Sequence, residues 1–546
     1  MVQFLNIEYG IPPILLAVAA FALPLLSLII KSKRFFDVYA LVFGIVALYT
    51  SIKILHDVLA FHKPIVYPFG GWPPPVGIIY EVDTFGAVLG LLVSLVMLLI
   101  ILYSWWYTKD VDGYVWYYTL LLGMESGLLG CIYTGDAFNL FVMLEVLGIS
   151  AYGLVAFYRF KHEAVEAAIK YAMIGATATT IYFIALVFLY GSFQTLNMAD
   201  IALKARGYSL ATISGGLFGN PLIASAIALS LSLWVFTFKA ALFPNHFWLP
   251  DAHPEAPTPV SAALSGLVVK VGVYASIRFL YTMFGQNSII AVNVPIRDIL
   301  MISLLILGIA SAFVGAMMMA VQKDVKRLLA YSTINHIGII FMAIGLGISS
   351  ASPEALRLAL AAAIFHTINH SIGKSLLFMS TGVMIKAVGS RDLDTLSGIG
   401  KLMPIAGIST IIGSLHLLGI IPLAGFFSKF MLYQAFLALN QPLLAVILVL
   451  TSAISLMGYA KLIAIVIGKP SSISSTLGRI KEDPIASLVL IILSIACIAL
   501  TVLLPLGFEE LLFKAGNSIL NHESYISSFF DTMNKILAQI HGVVGG

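Results

Sequence analysis

The sequence predicts an all-α polytopic membrane protein of about fourteen transmembrane helices, at roughly 20 apolar residues per span. Three observations carry that prediction. Of the 546 residues, 60% are hydrophobic and only 10% charged, against about 25% charge in an ordinary soluble domain. Mean hydropathy is +1.00. The apolar residues also gather into blocks of bilayer length separated by short connections.

In chain order the blocks lie at about 10–30, 36–56, 84–107, 114–133, 137–158, 167–190, 221–243, 257–283, 298–320, 328–349, 355–387, 404–440, 442–466 and 486–506. The first lacks the basic n-region and cleavage site of a signal peptide, so it is expected to stay as a helix. Two blocks carry helix breakers beside a lysine: Pro244 follows Lys239, and Pro422 with Gly425 precedes Lys429. Proline removes a backbone donor and opens a helix. Beyond Lys239, Pro250, Pro254, Pro257 and Pro259 predict a stiff, non-helical connection. After residue 506 apolar residues recur at helical spacing without reaching bilayer length, which predicts a surface amphipathic helix or docking segment. Trp105, Trp106, Trp116 and Trp248 fit an interfacial belt.

The basic residues orient the bundle. Lys31, Lys33, Arg34, Lys109, Arg159, Lys161, Lys323, Lys326, Arg327, Lys386, Arg391, Lys401, Lys469, Arg479 and Lys481 fall on one side of the helix count. Lys63, Lys204, Arg206, Arg297, Arg357 and the tail fall on the other. The positive-inside rule puts the first set in the cytoplasm and both termini outside a cell membrane. The net charge of +4 is scattered over short loops, so no nucleic-acid role follows. Cys131 and Cys497 both fall in apolar spans, leaving no disulfide framework, no thiolate cluster and no recognisable redox centre. No nucleotide-binding motif is present either.

Function is signalled by charge in the wrong solvent. Lys239 lies in LSLWVFTFKAALF, Lys270 in SGLVVKVGVYAS, Lys374 in HSIGKSLLF and Lys429 in AGFFSKFMLYQAF, while Glu145 lies in FNLFVMLEVLGIS. A charge at the bilayer centre costs about 2.5–3.5 kcal/mol on insertion scales, so intramembrane ionisable residues point to function. Buried lysine loses its proton more readily and a nearby carboxylate restores the affinity, a pairing suited to holding and passing protons. His366, His370 and Lys374 are spaced four apart on one helical face. Each histidine is either a relay, suited by its pKa, or a neutral ring satisfied by a local partner.

A fixed offset runs through these residues: 191 positions separate Glu145 from His336, 190 separate Lys239 from Lys429, and 191 separate Lys270 from Lys461. The partners lie an odd number of spans apart, so a second unit would be inverted relative to the first. The chain divides on this basis into residues 1–110, a first five-helix repeat at 111–285, an inverted repeat at 286–470, and a last helix and tail at 471–546, each repeat built round a broken helix. Chance matching is the alternative, with Lys461 snorkelling from a helix end. His246, Asp251, His253 and Glu255 follow Lys239 but match no zinc spacing, so no metal is expected. Glu125, Lys170 and His416 have either local structural roles or minor places on the same axis.

LPDAHPEAPTPVSA with the apolar-embedded VKVG resembles the signature of the antiporter-like subunits of respiratory complex I and of Mrp cation/proton antiporters. GDAFNLFVMLEVLGISAYGLVA, AYSTINHIGII and PLAGFFSKF resemble that family's glutamate, histidine and broken-helix segments in the same order. PFGGWPPPVGIIYEVD looks most like the Mrp D-subunit branch, which includes subunits of archaeal membrane-bound hydrogenase and sulfur-reducing complexes. The resemblance covers roughly 65–465. It implies that Glu145 and Lys239 pair in a first half-channel, Lys270 links to the centre, His336 and the His370/Lys374 face continue the path, and Lys429 ends it. It implies no cofactor in this chain and partners that comprise small Mrp-like subunits, antiporter-like or quinone-module-like subunits and a peripheral redox module. The alternatives are a stand-alone Na⁺/H⁺ antiporter subunit and a non-conducting scaffold.

Overall fold

The computed structural model describes residues 7–207, 220–292, 295–471 and 480–544; Arg479 lies outside the described residues. The helices run α1 (Ile11–Ile29), α2 (Lys33–Phe61), α3 (Thr84–Tyr107), α4 (Tyr114–Tyr133), α5 (Ala137–Val155), α6 (His162–Phe193), α7 (Met198–Lys204) and α8 (Pro221–Lys239). They continue as α9 (Trp248–Glu255), α10 (Thr258–Met283), α11 (Ile296–Val321), α12 (Val325–Ile344), α13 (Pro353–Val388), α14 (Pro404–Leu418), α15 (Ala424–Ala438), α16 (Pro442–Ile467) and α17 (Pro484–Leu503). Two further helices, α18 (Phe508–Leu520) and α19 (His522–Val544), close the chain. Among the described residues 13 of these are long and apolar enough to span a membrane. The short apolar α14, interrupted and resumed as α15, fills the place of the block expected at 404–440.

The bundle has a buried inside and an exposed apolar outside, a distinction composition cannot make. The apolar stretch of α10 is wholly buried, whereas α1 leaves Phe21 and Ile29 exposed. With no water to drive apolar side chains together, intramembrane packing relies on close backbone approach at small residues. A Cβ at Gly272 of α10 would stand 2.4 Å from the Phe236 carbonyl oxygen and 2.5 Å from the Ala240 amide nitrogen of α8 and its cap. The crossing of α8 and α10, which carry Lys239 and Lys270, therefore requires glycine there.

Two local expectations need correction. The proline-rich segment after Lys239 contains the helix α9. Pro250 falls in its first turn, where a missing N–H has no intrahelical partner to lose. No strand is expected from the apolar blocks, yet β1 (Ile65–Pro68) and β2 (Ile79–Val82) pair antiparallel with Ile65 opposite Val82. Branched and aromatic runs on either side of a Gly- and Pro-rich turn were the available signal. The tail meets its amphipathic expectation, since Leu512, Ala515, Ile519, Tyr525 and Phe529 turn inward. Lys326 and Arg297, counted as loop charges, are buried and donate to the carbonyl oxygens of Ala256 and Gly347 respectively.

Candidate functional site

Helices α10, α12, α13 and α15 bring the intramembrane ionisable groups into one buried network. Short π-helical turns at Leu264–Val268 and Arg278–Met283 flank Lys270. Such turns interrupt the regular ladder and recur at functional sites. Lys270 Nζ donates to the Ser265 carbonyl at 2.7 Å and lies 2.5 Å from His370 Nδ1. The His370 ring stands 5.0 Å, centroid to centroid, from that of His336. His336 Nδ1 is 3.0 Å from His366 Nε2, and His366 Nδ1 is 3.0 Å from the Ser428 hydroxyl. The next residue, Lys429, donates to the Leu418 carbonyl and to Ser452 Oγ, both at 3.0 Å.

A branch leaves His336 on its other side. His336 Nε2 is 2.9 Å from the Tyr459 hydroxyl, which is 2.6 Å from Ser332 Oγ, and Lys374 Nζ donates to that same Ser332 oxygen at 2.5 Å. Lys374 also donates to the Leu329 carbonyl at 2.8 Å. His336, His366, His370 and Lys374 are each at most 2% exposed. A neutral imidazole donates at one nitrogen and accepts at the other, so the hydrogen-bonded run His366–His336–Tyr459–Ser332–Lys374 can hand a proton along by exchanging roles, whereas His370 meets His336 by ring contact alone.

The helix breaks supply the polar environment of the outlying lysines. Helix α14 stops at Leu418 with Gly419 in the left-handed region at φ 87°, and the chain resumes as α15. The Leu418 carbonyl, left without a helical partner, receives the Lys429 ammonium. Lys239 is the last residue of α8, ahead of its break, whereas Lys429 lies in the second turn after its own. The two therefore occupy opposite sides of their breaks despite the 190-residue offset.

The structure hydrogen-bonds Lys270 to His370 and links His366, His336, Tyr459, Ser332 and Lys374 in a second run. Among the described residues the two runs meet only by the His370–His336 ring contact, His370 Nε2 having no hydrogen-bond partner. Lys429 bonds to Leu418 and Ser452 rather than to either run, and the first two predicted residues stand apart. Glu145 is half-buried on α5, Lys239 is buried, and among the described residues no salt bridge within 4.0 Å joins them. No side-chain bond links Lys239 to Lys270 there either. Tyr459, Ser332, Ser428 and Ser452 were missed. Hydroxyls inside apolar helices are the usual internal satisfiers of backbone carbonyls, so only spatial placement distinguishes a bridging one.

The remaining residues resolve differently. Lys461 donates to the Ala320 and Gln322 carbonyls at the end of α11, a capping role. Lys170 pairs with Glu166 at 2.7 Å and with Asp251 at 3.7 Å on the wall of a 380 Å³ pocket that also holds Glu255, Asp324 and Arg391. His416 Nε2 lies 3.1 Å from the Asn369 carbonyl. Glu125 and both ring nitrogens of His253 are buried without a hydrogen-bond partner. Among the described residues no group of three or more His, Cys, Asp and Glu side chains could hold a metal ion.

Residues 134–455, which contain most of this network, match the family described as "NADH:quinone oxidoreductase/Mrp antiporter, TM". The chain belongs to this family. It is 31% identical over 467 residues to the N subunit of the NADH-quinone oxidoreductase of Desulforudis audaxviator, covering 85% of this chain and 86% of that one. It is 30% identical over 405 residues to the D-type subunit of the Na(+)/H(+) antiporter of Alkalihalophilus pseudofirmus, covering 74% and 75%. Among solved structures it resembles a chain of the membrane-bound sulfane sulfur reductase, an archaeal respiratory membrane complex, with a TM-score of 0.84 and 29% identity over 95% of this chain and 99% of that one. The multi-pass membrane architecture and the resemblance read from the four motifs agree with these matches.

Proposed function

We propose that this chain is the proton-translocating, antiporter-like subunit of a multisubunit membrane complex driven by a redox module. The observation that carries the proposal is the buried run Lys270–His370–His336–His366–Ser428 leading to Lys429. Lysines in low dielectric are poised to give up protons, and histidines between them can relay. Glu145 and Lys239 form the gate: when they approach, the carboxylate holds the proton on Lys239, and when they separate, desolvation releases it.

In this reading the chain lies in a cell membrane with both termini outside, the basic loops facing the cytoplasm. Its two inverted repeats span 111–285 and 286–470. The partners are small Mrp-like subunits, other antiporter-like or quinone-module-like subunits and a peripheral redox module, since the sequence shows no recognisable motif for a redox centre. The 31% identity to the NADH-quinone oxidoreductase N subunit and the 29% identity to the sulfane sulfur reductase chain support a redox-driven parent.

A second reading, the D-type subunit of a stand-alone Mrp antiporter, draws on the 30% identity to the Na(+)/H(+) antiporter chain. Purification from the native membrane separates them: copurifying iron–sulfur or hydrogenase-type subunits favour the first, Mrp subunits alone the second. A scaffold role is tested in the same preparation. Lys374→Ala is expected to abolish proton transport in reconstituted vesicles, and wild-type transport by that variant defeats both conducting readings.

A further inference from the structure

A second buried ionisable cluster lies away from the lysine–histidine axis. Arg278 is 1% exposed and is chelated by Asp83, its Nη1 donating to Oδ2 at 2.9 Å and its Nη2 to Oδ1. Its guanidinium is boxed by the rings of Phe85, Tyr274 and Tyr525 at 5.3, 5.1 and 5.3 Å. Glu81, on β2 two residues before Asp83, the N-cap of α3, is wholly buried, and neither carboxylate oxygen has a hydrogen-bond partner. The charged and titratable groups facing Glu81 are Asp83 of its own segment, Arg278 of α10 and Tyr525 of α19.

One cation thus serves two carboxylates in a dry box. Asp83 already takes both guanidinium nitrogens, so Glu81 is stable there only with its proton on. Burial and the neighbouring Asp83 raise its pKa well above the carboxylate range. Both carboxyl groups would be poor choices for mere packing. Their surroundings offer two connections. A 230 Å³ pocket lined by His62, Lys63, Asp83, Lys514, Asn517 and Ser524 reaches the cluster from its exposed side. Toward the axis, Lys270, Tyr274 and Arg278 recur every four residues along one face of α10; the Tyr274 hydroxyl accepts from Arg278 Nε at 2.9 Å and donates to the Ile132 carbonyl at 2.5 Å, and Lys270 bonds instead to Ser265 and His370.

We propose that Glu81 is a proton-exchange site at the hairpin end of the molecule, reached by water through the pocket beside Asp83 and coupled to the α10 axis by the charge of Arg278 rather than by a proton wire. This rests on the proton-translocating reading above. The step is transfer of one proton between the Glu81 carboxyl and a water molecule entering the pocket. Only O–H bonds form and break, and the guanidinium of Arg278, shared between the two carboxylates, offsets part of the charge left on Glu81 while Asp83 keeps the Gly86 amide as donor. Tyr525, carried by the C-terminal segment, covers the box.

The test uses the intact complex purified with all its subunits and reconstituted in vesicles, with proton flux driven by an imposed membrane potential. Glu81→Gln, nearly isosteric, is expected to assemble normally and to lose at least tenfold in flux, while Glu81→Asp keeps an intermediate rate. Infrared titration is expected to show a protonated-carboxyl band in the wild type that E81Q lacks and that shifts in E81D. Flux within twofold of wild type in E81Q, with Lys374→Ala inactive, overturns the Glu81 site and leaves the proposed function standing. Wild-type flux in Lys374→Ala overturns the proposed function itself. Should E81Q fail to assemble, the infrared titration decides, and no band differing between wild type and E81D overturns the site.

Discussion

Tyr459→Phe removes one oxygen atom from the centre of the network and little else. The hydroxyl bridges His336 Nε2 at 2.9 Å and Ser332 Oγ at 2.6 Å, while the ring is fully buried and its packing is kept by phenylalanine. Ser332 retains the Lys374 ammonium as a partner at 2.5 Å. His336 Nε2 is then the one atom left without a partner, at a cost of about 1–3 kcal/mol for an unsatisfied buried polar group. If that cost falls on the step in which His336 exchanges its proton, transport slows by about five- to 150-fold, at roughly 1.36 kcal/mol per factor of ten. Proton uptake into vesicles containing the reconstituted complex, normalised to assembled protein, measures this directly. Thermal stability is expected to fall by an amount of the same order, about 1–3 kcal/mol. Wild-type uptake by Tyr459→Phe, together with an inactive His336→Ala, would show that protons pass His336 without using this branch.

Other perturbations probe the rest of the path. Lys239→Ala and Glu145→Ala are each expected to reduce transport strongly with assembly intact, and Glu145→Asp to retain part of it; normal pumping by both alanine variants refutes the gate. Lys429→Ala is expected to abolish transport, because the ammonium held between the Leu418 carbonyl and Ser452 is the end of the network, whereas Lys429→Glu keeps part of it since either side chain can carry a proton. Elemental analysis is expected to find no stoichiometric metal bound by residues 245–259; one tightly held zinc lost on His253→Ala contradicts this. Gly272→Ala places a methyl against the backbone of Phe236 and Ala240 and is expected to destabilise the α8–α10 crossing by about 1–3 kcal/mol, read as a lower melting temperature in detergent.

What the sequence determined by itself was largely one-dimensional. Helix number and extent follow from the match between apolar block length and bilayer thickness, so α3, observed at Thr84–Tyr107, coincides with its predicted span. The buried lysines and histidines were equally legible, since a charge in an apolar run is conspicuous without any fold, and the quoted motifs pointed to the family that 134–455 matches. Tertiary structure decided which of these groups meet. His336 and His366 come from α12 and α13, and nothing in either local sequence states that their rings stand 5.1 Å apart. Lys461 looks like Lys270 in sequence, yet one caps α11 while the other meets His370. Glu81 and Arg278 lie 197 positions apart, and only the fold brings the hairpin, α10 and the tail together around them. The physical reason is that bilayer insertion depends on the composition of each segment taken alone, whereas proton affinity and hydrogen-bond continuity depend on neighbours that folding brings from distant segments.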